Sequence, residues 1–128
     1  MSTSLLILDG DLWRRESLAA ALAYEGCHAE HTGEATFAMA LLAGHRHRLV
    51  LIDPSAPATG GWKTIEHVAL LYPTLPVIVI GSDDEASRSA PVQGRIDIMK
   101  KPIVFTTLLS AIQRILSTSQ QHVISRHP

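Results

Sequence analysis

Short apolar runs at residues 5–8, 49–52, 77–80 and, more weakly, 96–99 punctuate the chain at fairly even intervals. Each is too short for a helix and is bounded by Gly, Pro or Asp, which predicts strands buried on both faces. Helical patterns fill the gaps. Residues 12–24 are rich in Ala and Leu and stop at Gly26, residues 34–42 stop before Gly44, and residues 62–71 stop before Pro73. Residues 105–116 put Phe105, Leu108, Leu109, Ile112, Ile115 and Leu116 on one stripe. Residues 27–31 read as a further short strand. Strands alternating with helices predict a parallel sheet covered on both faces, with right-handed crossovers. Between residues 82 and 95 the pattern weakens, with Pro91 inside it, and allows only a short helix near 84–90. The stretch 117–128 has no periodicity and reads as a flexible tail or the start of a linker.

Composition narrows the class. A chain of 128 residues is one domain at roughly 100–200 residues each. Hydrophobic residues at 46% and charged residues at 18% exclude a disordered polymer. A net charge of −1 weighs against direct nucleic-acid binding. Cys27 is the single cysteine, so an internal disulfide is excluded and a reducing cytoplasm fits. No apolar run reaches the ~18 residues of a membrane span, and the N-terminus lacks the basic region of a signal peptide.

In a doubly wound sheet, ligands bind beyond the carboxyl ends of the strands. Asp9-Gly10-Asp11 follows the first apolar run, Asp53 the third strand, Gly81-Ser82-Asp83 the fourth, and Lys100-Lys101-Pro102 the fifth. Carboxylates gathered at one rim repel each other and call for a cation. Oxygen ligands of this kind suit Mg²⁺. Lys101 could pair with a carboxylate or a phosphoryl oxygen.

Pro57 and Gly61 stand four and eight positions after Asp53, and the segments Pro76-Val-Ile-Val-Ile80 and Gly94-Arg-Ile-Asp-Ile-Met-Lys-Lys-Pro102 follow in order. Over residues 4–116 this ordered set resembles the receiver domain of bacterial two-component response regulators. The resemblance implies a flavodoxin-like (βα)5 fold with a five-stranded parallel sheet in the order 2-1-3-4-5. It implies a signalling module in the cytoplasm rather than an enzyme, with at most Mg²⁺-dependent self-phosphorylation and autodephosphorylation. Asp53 would accept a phosphoryl group from a sensor histidine kinase or phosphotransfer protein, and Lys101 would bond it. Asp9, Asp53 and the backbone carbonyl of Ser55 would hold Mg²⁺. The partner side would be a downstream protein or output domain, with a homodimer as a further option. The chain carries no output domain of its own, so it would signal by contact or form the front of a longer protein.

Three positions depart from the family pattern. The second acid of the cluster falls on Gly10, with Asp11 one position on as a substitute ligand or as a helix cap. Losing that acid predicts weak Mg²⁺ binding. The hydroxyl expected at the end of the fourth strand falls on Gly81, with Ser82 adjacent as a substitute. The aromatic residue expected three positions before Lys101 is Ile98. These departures keep an alternative open, a phosphorylation-independent pseudo-receiver acting as an interaction or dimerisation module. A flavin protein is disfavoured by the acidic Asp9-Gly10-Asp11 turn, and a phosphatase using Asp9 by the short chain.

Other residues have plainer readings. Alone, Asp53 is an ordinary turn residue; the ordered set makes it a site. His45-Arg46-His47-Arg48 reads as a solvated loop rather than a metal site, and Cys27 as a small buried hydrophobe. Trp13 and Trp62 follow strand ends near the rim, as packing residues or as surface anchors.

Overall fold

The computed structural model describes residues 3–81 and 95–125. Within them β1 (Thr3–Leu8), α1 (Leu12–Tyr24), β2 (Cys27–Thr32), α2 (Ala35–Leu42), β3 (Leu49–Ile52), a 3-10 turn (Pro57–Thr59), α3 (Gly61–Leu71), β4 (Val77–Gly81), β5 (Ile96–Lys100) and α4 (Phe105–Ser125) follow in order. The five strands are parallel in the order β2-β1-β3-β4-β5. The expected fold is the observed one. The short helix expected near 84–90 lies outside the described residues, as does Ser82.

Alternation along the strands divides the core. Leu5, Ile7, Leu49, Leu51 and Ile78 face one side, where they meet Leu22 of α1 and Leu108, Ile112 and Leu116 of α4. Leu6, Leu8, Val50, Ile52 and Val79 face the other, against Ala38 and Leu42 of α2 and Ile65 and Val68 of α3. A strand with neighbours on both faces must be apolar at every position, which is why β1, β3 and β4 read as unbroken runs. β2 pairs only with β1 and is half-exposed beyond Cys27. An edge position tolerates the polar Cys27-His-Ala-Glu-His-Thr32, so its sequence signal is faint. Cys27 is buried, as expected.

Two expectations need correction. α4 continues to Ser125 instead of giving way to a tail at residue 117. Between Phe105 and Ser125 there is neither Gly nor Pro, so nothing in the chain breaks the helix once the apolar stripe has anchored its first turns. The 45–48 segment is not a simple solvated loop. The His47 side chain is buried, with Nε2 2.6 Å from Glu30 Oε1, and Arg46 Nη2 donates to the same oxygen at 3.2 Å. Burial works to raise the Glu30 pKa, but the His47 hydrogen bond and the Arg46 charge outweigh it and hold the carboxyl below its usual range. This cluster ties edge strand β2 to the start of β3.

Candidate functional site at the carboxyl rim of the sheet

Parallel strands β1 and β3 end level with each other, with Leu8 beside Ile52. The next residue of each is an aspartate. Asp9 donates its N–H to Thr32 O at 3.1 Å, and Asp53 donates its N–H to Leu8 O at 2.9 Å. The sheet ladder therefore fixes both backbones, and both side chains are buried.

Asp53 is held from two sides. On Oδ1 it accepts from Ser55 N–H at 2.9 Å and from Ser55 Oγ at 2.6 Å. Oδ2 lies 2.8 Å from Lys101 Nζ. Lys101 follows β5 directly, and its own N–H donates to Gly81 O at 2.9 Å. Burial works to raise the Asp53 pKa, but the Lys101 and Ser55 hydrogen bonds and the Lys101 charge outweigh it, so the carboxyl sits below its usual range. At neutral pH it is an ionised, oriented carboxylate.

Sequence reasoning missed Arg14. Its Nε donates to Asp9 Oδ2 at 2.7 Å, and its Nη2 to Asp9 Oδ1 at 2.8 Å and Asp53 Oδ2 at 3.1 Å. This is a bidentate fork on one carboxylate with a branch to the second. The hydrogen bond to Asp9 does most to raise the Arg14 pKa further. A usable signal was present: five positions after Asp9, in the first turn of α1, a long cationic side chain reaches back over the strand end. Arg15 reaches the same loop, donating to Asp9 O at 3.2 Å.

Asp11 takes the capping role. Its carboxylate accepts from Arg14 N–H at 3.0 Å as the N-cap of α1, with the side chain half-exposed. Gly10 has a steric reason. A Cβ there would collide with the Cβ of Ala56 in the loop after β3, so the position has no room for the expected acid. That loop is fixed by Thr59, whose Oγ1 donates to Ala56 O at 2.6 Å, and by Gly60, whose positive φ of 80° turns the chain into α3. Gly81 ends β4, and Ile98 packs its half-buried aliphatic side chain on the α2/α3 face of the sheet. Trp13 is exposed at the rim, whereas Trp62 packs against the core.

The donor set does not fit a Mg²⁺ ion. Both Asp9 oxygens and Asp53 Oδ2 are hydrogen-bonded by Arg14, and Asp53 Oδ1 by Ser55. Among the described residues no three acidic, His or Cys side chains converge on a point that could hold a metal. A cavity of about 700 Å³ opens beside this cluster, with Asp9, Arg14, Ser17, Lys101, Pro102 and Phe105 in its walls.

The capping role of Asp11 has a measurable consequence. Asp11→Ala should lower the unfolding free energy by about 1 kcal/mol, the usual worth of an N-cap, in urea titrations.

Comparison with known proteins agrees with this geometry. The response regulator receiver domain family matches residues 5–113. Response regulator MprA from Mycobacterium sp. (strain KMS) is 28% identical over 118 residues, covering 91% of this chain and 51% of the relative. The protein of the same name from Mycobacterium tuberculosis (strain ATCC 25177 / H37Ra) is 27% identical over the same length. The chain thus spans about half the length of the curated relatives it matches. A CheY-like receiver domain protein from Methanospirillum hungatei JF-1 superposes with a TM-score of 0.84 at 22% identity, over 95% of this chain and 99% of that one. The receiver domain of a signal transduction histidine kinase from Syntrophus aciditrophicus gives 0.80 at 23% identity, over 91% of each chain. At such identities the two structures speak to the fold alone. No helix among the described residues is long and apolar enough to cross a membrane. The match over most of the chain decides the family: this is a receiver domain of the two-component response regulators.

Proposed function

We propose that Asp53 accepts a phosphoryl group from a phosphohistidine on a sensor kinase or phosphotransfer protein. The observation that carries this is a buried, ionised Asp53 carboxylate at the sheet rim with Lys101 Nζ 2.8 Å from Oδ2. An Asp53 oxygen attacks phosphorus and forms the new O–P bond. The P–N bond breaks, its electron pair stays on the ring nitrogen, and the donor leaves as neutral imidazole once that ring holds its proton. The Lys101 ammonium offsets the charge on the phosphoryl oxygens, and the Ser55 N–H and hydroxyl hold the carboxylate in one orientation.

The modified domain passes its signal by contact to a downstream protein or output domain on the cytoplasmic side. Relatives that are response regulators of about twice this length support an output partner and weigh against a phosphorylation-independent module. The test is incubation with acetyl phosphate, followed by intact mass and peptide mapping. One phosphoryl group located on Asp53 is expected. No adduct, or an adduct on another residue, rejects the reading.

A further inference from the structure

We propose that Arg14 is the cation of this phosphoryl site, doing from within the chain what a bound divalent ion would otherwise be needed for. The inference rests on the reading of Asp53 as acceptor and adds that the transfer runs without a metal.

The first support is charge. Asp9 and Asp53 are both buried at one rim, where two carboxylates raise each other's energy unless a cation lies between them. Arg14 Nη2 is that cation, 2.8 Å from one carboxylate and 3.1 Å from the other. A guanidinium stays protonated at any physiological pH, and its planar fork matches carboxylate and phosphate oxygens.

The second support is steric and independent of the first. Gly10 has no room for a side chain against Ala56, and the Asp11 carboxylate is committed to the α1 cap. The backbone thus leaves two acids at the rim rather than three. A third observation concerns direction. Lys101 and Arg14 both approach Asp53 on Oδ2, and both line the cavity that opens beside it. A phosphoryl group forming on Oδ2 meets both cations. When the O–P bond forms, the Arg14 N–H that served the carboxylate turns to a phosphoryl oxygen.

Acetyl phosphate provides the test. In that reaction the P–O bond to acetate breaks, and acetate leaves with the electron pair. Wild type should acquire the Asp53 phosphoryl group at the same rate in EDTA as in Mg²⁺. In EDTA, Arg14→Gln should slow it about 100-fold, the scale for losing one preorganised donor to a developing anion. Arg14→Lys, which keeps a cation, should retain most of the rate. Thermal unfolding of both variants is measured alongside, and Arg14→Lys decides if Arg14→Gln fails to fold. Labelling of wild type that requires Mg²⁺ overturns the inference while leaving Asp53 as acceptor. So does Arg14→Gln labelling as fast as wild type in EDTA, or Arg14→Lys as slow as a folded Arg14→Gln. No labelling of wild type in either condition overturns the acceptor reading and the inference with it.

Discussion

Asp53→Asn should abolish phosphoryl acceptance, leaving no adduct by intact mass where wild type is labelled by acetyl phosphate. Asparagine preserves the volume and can still accept the Ser55 N–H bond seen at 2.9 Å, so the loop geometry survives. What is lost is the anionic oxygen that attacks phosphorus. The same substitution has a stability signature. The Asp53 pKa is lowered in the folded chain, so its charge contributes stability above the unfolded carboxylate value of about 3.9. That contribution disappears as pH falls through the lower, folded value. Wild type should therefore be more stable than Asp53→Asn at pH 7, with the gap closing on acidification below about pH 4. Lys101 and Arg14 are each partly open to solvent and can rehydrate, so the gap at pH 7 is about 1 kcal/mol. Urea titrations at both pH values measure it. A gap that widens in acid would mean that Asp53 is not the stabilising anion of the rim.

Gly10→Asp, which restores the acid of the family pattern, should damage the domain instead of improving it. The backbone φ of Gly10 is not in the left-handed region, so backbone strain is not the obstacle. The obstacle is the Ala56 Cβ, which is too rigid to move aside without its loop. Thr59 is fully buried and bonded to Ala56 O, so that loop cannot shift freely. Overpacking of this kind costs about 1–3 kcal/mol. A third carboxylate beside Asp9 adds repulsion to the steric cost. Gly10→Asp combined with Ala56→Gly removes the steric part and should recover most of the lost stability. If the double variant is no more stable than the single one, the Gly10–Ala56 approach is not what excludes a side chain.

The elements that carry the fold could be read in the chain because burial on both faces leaves a strong mark. β3 is Leu49–Ile52 and α1 is Leu12–Tyr24, both where the apolar runs and the Ala/Leu-rich stretch place them. Edge strand β2 is half-exposed, so burial writes little of it into the sequence. Asp9, Asp53 and Lys101 were legible because strand ends of a parallel sheet meet at one rim, and they do meet there. Arg14 left only its spacing from Asp9 as a signal, because its role depends on side-chain reach from a helix that the hydrophobic pattern places but does not orient. The crowding at Gly10 was also hidden. It depends on Ala56, a residue brought next to it only by the pairing of β1 with β3.

The most direct measurement is a crystal structure of the beryllofluoride complex grown with Mg²⁺ in the drop. Beryllofluoride should sit on an Asp53 oxygen with Lys101 Nζ and the Arg14 guanidinium both within hydrogen-bonding distance of its fluorides. A Mg²⁺ ion bridging Asp9 and Asp53, with Arg14 displaced into solvent, would contradict the account.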